Sequence, residues 1–415
     1  MIQEKSIYVF VSIDNAWVPA GLLHCHLENN RVVASAFRYG TKYLQNKKAY
    51  PVDISSLPLS DQQYKTDPRM QIFSGLIDSA PDSWGRALME RRAGKPLRED
   101  EFLTASSDQR VGALAFSDSP DRPRRITPWS KDQEDDSVLD LEPVLQAYLN
   151  YTAGDQNKID EAMRQYILPG SPMGGARPKA VVLFEQRLWM AKFQKENDPF
   201  DFIRCEYACM ELARKCGLNV PKVKIEKFNE RSVFLIERFD RHEQQRFHLN
   251  SFFSILQQTE TGFMHSSYME MAEALLKHSR KDVEDRLELF GRMIFNGLCR
   301  NTDDHLRNHA MLYSPKLKSF HLSPLYDVVS DLHAPDNFRL AIGCGIDEQG
   351  STTRTFSKKS CLKTAVFFGL SDETALACFE KMEQTVKDSW EETFQSAGFS
   401  AKEIEAYAGV FARGR

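Results

Sequence analysis

One stretch, FNGLCRNTDDHLRNHAMLY at residues 295–313, constrains this chain more than any other, because an acid, an amide and a later acid follow one another in an order suited to phosphoryl transfer. Asp303 stands five residues before Asn308. That spacing lets a carboxylate take the proton of a substrate hydroxyl while the amide oxygen reaches a magnesium ion. Asp304 is one residue too close to fit. Two short strand-like runs follow, HAMLY and SFHL, around a turn at Ser314, Pro315 and Lys316, and they deliver the chain to SPLYDVVSD. Asp327 is thereby placed as a second metal carboxylate.

Phosphoryl transfer needs little covalent help, so positive charge on the nucleotide is the other requirement. Lys192, in the run LWMAKF, can supply it, and Glu206 on the next helix is placed to form the lysine–glutamate pair that holds such a lysine against phosphates. The bland alternatives are a surface strand lysine and a solvent-facing helix glutamate. Upstream lies PGSPMGGARPK at 169–179, where Gly174 and Gly175 let backbone N–H groups approach an anion closely. The order is loop, lysine strand, glutamate helix, catalytic loop, hairpin, metal aspartate. Each piece alone is weak; their sequence is hard to assemble by chance. His305 and His309 have the spacing of a helical zinc pair but lack the H-E-x-x-H glutamate, so a bracing role near the loop is expected of His305.

The surrounding pattern predicts an α+β chain with a β-containing amino lobe and a mainly helical carboxyl lobe. SIYVFVSI and RVVASAFRY read as strands of a small sheet, and Asp82 or Ser83 after Pro81 as the cap of a helix carrying Trp84, Leu88 and Met89. Residues 117–136 mix prolines with opposite charges and read as an exposed loop. A helix is expected over 138–150, then a hairpin of AVVLF and LWMAKF turning at Glu185, Gln186 and Arg187, then a helix from about Asp201 stopped by Gly217 and Pro221, then the pair VPKVKIEKF and SVFLIERF. The boundaries expected are 1–120 for an amino-terminal subdomain, 121–240 for a kinase-type N-lobe and 241–415 for a helical C-lobe.

At 415 residues with 42% hydrophobic composition the chain can bury a sizeable core, and a net charge of −4 demands neither nucleic acid nor a membrane as partner. No run of 18 apolar residues occurs, the first residues lack a secretory layout, and the eight cysteines include no Cys-x-x-Cys pair. A soluble cytoplasmic protein with reduced thiols is the expectation. There is no Walker A loop, since no glycine-lysine-serine/threonine follows the glycines.

The strings DSAPDSWGR, GGARPKA, AKF, LIERFDR, FNGLCRNTDDHLRNH and LSPLYDVVS, in this order, resemble the HipA kinases from roughly residue 5 to residue 390. The resemblance implies a bilobal kinase-like fold with an extra amino-terminal subdomain, and serine/threonine protein kinase activity using ATP and magnesium. It makes Lys192 the nucleotide lysine, Asp303 the catalytic base, Asn308 and Asp327 the magnesium ligands, and places Glu237 and Phe239 at the adenine. It further implies a toxin of a toxin–antitoxin pair, phosphorylating a translation component such as an aminoacyl-tRNA synthetase, and a HipB-like helix-turn-helix antitoxin through which alone it meets DNA. The alternatives are a small-molecule or lipid kinase, and a non-catalytic kinase-like partner of an antitoxin. The eukaryotic H-R-D and D-F-G signatures are absent. In this family a loop of type S-x-x-G-A-Q-x-K often carries an autophosphorylated serine; here the chain reads S-P-M-G-G-A-R-P-K from Ser171, with one added residue and Arg177 in place of glutamine. Ser171 is the autophosphorylation candidate.

Overall fold

A computed structural model describes residues 3–129, 139–145, 177–195, 198–228, 231–259 and 266–411. Helix at 35% and strand at 26%, gathered in several small sheets, make the chain α+β. Two compact units form: residues 1–192, 237–259 and 312–318 in the first, and 193–236, 260–311 and 319–415 in the second.

The first unit is built on an antiparallel sheet of β1 (Gln3–Ile13), β2 (Ala16–Glu28), β3 (Arg31–Tyr39), β4 (Gln63–Lys65) and β5 (Leu114–Ser117), in the order β4-β3-β2-β1-β5. β2 shows the period-two pattern of a half-buried strand, with Leu23, Cys25 and Leu27 inward, whereas Ile7, Val9, Phe10 and Val11 of β1, which lies between β2 and β5, are buried on both faces. The two hairpin turns, Asp14–Asn15 and Asn29–Asn30, have positive φ at both residues (50° and 64°, 49° and 59°). Asp and Asn tolerate that left-handed geometry, and it matches the twist of the flanking strands. Helix α1 (Ser83–Ala93) starts at Asp82, whose side chain accepts from the Gly85 N–H at 2.8 Å.

The helix expected over 138–150 begins only at residue 141, because Leu139–Asp140 (β6) runs parallel to β7 (Lys179–Phe184); residues 146–150 lie outside the described residues. β7 and β8 (Arg187–Phe193) form the predicted hairpin, with Arg187 in the strand and the turn confined to Glu185 and Gln186. Their φ values of 47° and 60° repeat the turn type of the first sheet without a residue that favours it.

In the second unit β9 (Val223–Phe228) pairs with β10 (Arg231–Glu237). Helix α2 (Phe202–Lys215) is capped by Asp201, which accepts from Arg204 N–H at 2.9 Å, and is followed by Gly217 at φ 85°. Helices α3 (Tyr268–His278), α4 (Asp282–Leu298), α5 (Asp372–Ser396) and α6 (Ala401–Phe411) complete the unit. The second half of α4 is buried all round from Leu289 to Leu298, so α4 is the central helix of the unit. Gly297 is required near its end, since a Cβ there would lie 2.2 Å from the Phe356 ring. The predicted strands after the loop are present as β11 (Ala310–Ser314) and β12 (Ser319–Leu322). All eight cysteines are free thiols. Among the described residues no helix is long and apolar enough to cross a membrane.

Candidate active site

The loop of residues 300–309 leaves α4 through Arg300, which takes φ 54° and sends its guanidinium to the carbonyls of Ala334 (2.9 Å) and Gly409 (3.0 Å) and to Asp336 (3.0 Å). The Asn301 N–H bonds back to the Asn296 carbonyl at 2.9 Å, and Thr302 donates to Asp331 at 2.9 Å. The chain then makes a single 3₁₀ turn, Leu306–Asn308, and enters β11. An exit this irregular is set by specific hydrogen bonds, since no ladder fixes it.

Asp303 is exposed on this loop. Desolvation by surrounding protein raises its carboxyl above the ordinary value, His305 works against that, and Asp327 and Asp304 raise it further. Asp303 and Asp327 are therefore electrostatic neighbours. Asn308 is buried, its amide nitrogen donating to the Asp303 carbonyl at 3.1 Å. Its Oδ1 is buried and has no hydrogen-bond partner among the described residues, an arrangement costly for an amide unless something else takes that oxygen. Asp327 sits at φ 62°, a conformation uncommon outside glycine, and Tyr326 beside it donates to the Arg307 carbonyl at 2.9 Å, tying the aspartate segment to the loop. Among the described residues no group of three or more His, Cys, Asp and Glu could hold a metal; a site of one carboxylate and one amide oxygen needs its remaining ligands from water or phosphate.

Asp304, the acid one residue off the spacing, is 1% exposed. Its Oδ1 accepts from His309 Nε2 at 2.7 Å and its Oδ2 from the Tyr268 hydroxyl. Glu206 is 2% exposed on α2, which excludes the solvent-facing alternative.

In the first unit Lys192 is 4% exposed between the buried Ala191 and Phe193, so it is not a surface lysine either. It faces Lys179 across the hairpin, also buried, and Lys179 is paired with Asp82 at 2.6 Å. Two lysines opposite each other on buried strands need counter-charge. Asp82 thus caps α1 and neutralises Lys179; the cap was expected from the sequence and the ion pair was not. Glu237 and Phe239 are half-buried and alternate with the buried Arg238 and Asp240. Glu237 is ion-paired with Arg187 at the end of the hairpin.

The string RFDR closes a buried clamp. Asp240 accepts from Arg238 Nε (2.9 Å) and Nη2 (2.6 Å), from Arg241 (2.9 Å) and from the Gly112 N–H (2.8 Å). The same guanidiniums donate to the carbonyls of Gln109, Arg110 and Gly112 at 2.6 to 3.1 Å. Burial alone would raise the Asp240 carboxyl, but the two arginines hold it well below the usual range. Ser171, Gly174 and Gly175 lie outside the described residues.

A helical unit whose central helix opens into an Asp-x-x-x-x-Asn loop, followed by two strands and a further aspartate, has the layout of a protein of the kinase class. The HipA-like C-terminal domain matches residues 171–390 and the HipA N-terminal domain residues 18–117. The chain belongs to the HipA family. It is 31% identical over 326 residues to a Sinorhizobium fredii protein named "Putative kinase Y4mE", covering 72% of this chain and 73% of the relative. It is 27% identical over 290 residues to a Haemophilus influenzae "Putative kinase", covering 62% and 74%. Among solved structures it resembles HipA of Shewanella oneidensis MR-1, determined with HipB and operator DNA, at TM-score 0.69 and 17% identity over 98% of this chain and 95% of that one. That likeness is one of fold.

Proposed function

We propose that this chain is an ATP- and magnesium-dependent serine/threonine protein kinase, the toxin of a toxin–antitoxin pair. The observation that carries the reading is the buried, unpartnered Oδ1 of Asn308 five residues after an exposed Asp303, with Asp327 as its electrostatic neighbour. Asn308 Oδ1 and the Asp327 carboxylate are hard oxygen donors that suit magnesium, which keeps its other positions for phosphate and water. When bound, Mg-ATP supplies the transferable phosphoryl group and neutralises its charge. Asp303 accepts the proton of the acceptor hydroxyl, a task helped by a carboxyl pKa raised above its ordinary value. Lys192 contributes a buried positive charge for the nucleotide, Glu206 its orientation, and Glu237 and Phe239 the adenine contacts. Gly174 and Gly175 offer backbone donors to the phosphates, and Ser171 is the site of self-modification.

The kinship with HipA, and a relative solved together with HipB and operator DNA, support a HipB-like antitoxin as partner; that it is a helix-turn-helix protein, and that this chain meets DNA only through it, belong to the proposal. An aminoacyl-tRNA synthetase is the acceptor proposed. The test is incubation with γ-labelled ATP and host proteins, followed by phosphoamino-acid analysis. Label on serine or threonine of a protein, lost in Asp303→Asn, is expected. Label appearing only in a lipid or small molecule overturns the protein-kinase reading, and no transfer at all leaves the non-catalytic alternative.

A further inference from the structure

The chemistry assigned to Asp303 and Asn308 leaves their inward-facing neighbours unexplained. Asp304 and His309 are five residues apart, as Asp303 and Asn308 are, and each stands one position further along. The outer pair is joined only by the 3.1 Å bond from Asn308 Nδ2 to the Asp303 carbonyl, while the inner pair is locked by the 2.7 Å bond between His309 Nε2 and Asp304 Oδ1. Tyr268 donates to the other Asp304 oxygen and accepts from Asn296 Nδ2 at 3.0 Å, and Asn296 Oδ1 accepts from Asn301 Nδ2 at 3.1 Å. The circuit runs from the start of α3 through α4 and into the loop. Tyr268 is itself fixed, because Ser267 and Glu270 form a capping box around it and its N–H bonds the Gly343 carbonyl at 2.9 Å.

We propose that Asp304, His309 and Tyr268 form a buried staple that sets the separation of Asp303 and Asn308, and that they are positioning residues for phosphoryl transfer. The proposal rests on the kinase reading of those two residues. A carboxylate this buried is tolerated because both oxygens receive donors, and it is therefore unavailable as base or metal ligand. What it does is hold a loop that has only one 3₁₀ turn of regular structure. Reacting groups displaced by about 1 Å can cost on the order of 100-fold in rate, so the width of the loop is a catalytic variable.

Tyr268→Phe removes one hydroxyl from the staple and keeps the ring; Asp304→Asn, of the same shape, is the second variant should the first fold poorly. In the full chain each is expected to lower kcat about 10- to 100-fold, with the KM for ATP unchanged. Hydrogen exchange of the amides at 303–309 should quicken while α5 keeps its protection. In an Asp303→Asn background, Tyr268→Phe should cost clearly less than it does alone, since much of what the staple does passes through the position of the base. Unchanged loop exchange in both variants overturns the staple. Faster exchange with full kcat, or loss that simply adds to that of Asp303→Asn, overturns the positioning role. A wild type that transfers no phosphate sinks the kinase reading instead, and loop exchange in the variants then still decides whether the staple exists.

Discussion

Two motifs, RFDR in the first unit and NTDDHLRNH in the second, look alike as sequence: each is dense in charge and each is among the most specific strings of the chain. Their structures differ in how far their polar atoms are satisfied. In RFDR the Asp240 carboxylate receives four donors and the two arginines donate further to backbone carbonyls. In NTDDHLRNH only the second aspartate is treated this way, while Asp303 stays exposed and Asn308 Oδ1 stays unpartnered. Saturation marks a part that holds the fold; incomplete saturation in a rigid frame marks a part kept ready for a solute.

Asp303→Asn should reduce phosphate transfer about 100- to 10,000-fold while changing unfolding free energy by no more than about 0.5 kcal/mol. Asp327→Asn should behave alike, asparagine being the non-glycine residue best able to keep φ 62°. Initial-rate assays with urea unfolding of the same samples check both halves. RFDR should show the reverse. Asp240→Ala strands two buried guanidiniums and should cost about 3 to 5 kcal/mol, read as a lower urea midpoint.

A smaller effect comes from His248, buried in the first unit with Nε2 3.0 Å from the Val52 carbonyl. Burial lowers its pKa from 6.5 to about 4. The unfolded chain then takes up the proton first on acidification, so the stability belonging to neutral His248 is complete above pH 6.5 and is lost as pH falls toward about 4. The loss is roughly 3 kcal/mol at most. Asp53, also buried, has its carboxyl raised by burial and acts with the opposite sign, but it does so equally in wild type and His248→Gln. The difference between the two proteins should therefore shrink across that window, and a pH-independent difference would refute it. The smallest effect sharpens the local reading of α2: Asp201→Ala removes the cap on Arg204 N–H and should cost about 1 kcal/mol, seen as a lower Tm.

Much of the fold was legible. β1 and β3 of the first sheet, the β7–β8 and β9–β10 pairs, the Asp82 cap, the start of α2 near Asp201 and the Gly217 stop all follow from local signals, because alternation, caps and chain breakers act within a few residues. The Glu185–Gln186 turn was placed a residue too long because neither side chain favours positive φ, and pairing of the strands decides its geometry. The helix expected from 138 gave way at Leu139–Asp140 to parallel pairing with β7, a partner about 40 residues distant. In the site, the spacing of Asp303, Asn308 and Asp327 was readable, while the tasks of Asp304, Tyr268 and Lys179 were not, since the Tyr268–Asp304 and Lys179–Asp82 contacts join residues 36 or more apart in sequence.

The sequence by itself determined the order of the elements, the α+β class and the residues whose types suit phosphoryl transfer, because these depend on side-chain chemistry and short spacings. Only the tertiary structure decided which of two adjacent aspartates meets solvent and which is buried on a tyrosine and a histidine. Neighbours in sequence differ in burial through the packing around them, and a carboxylate's role is set by the donors that reach it.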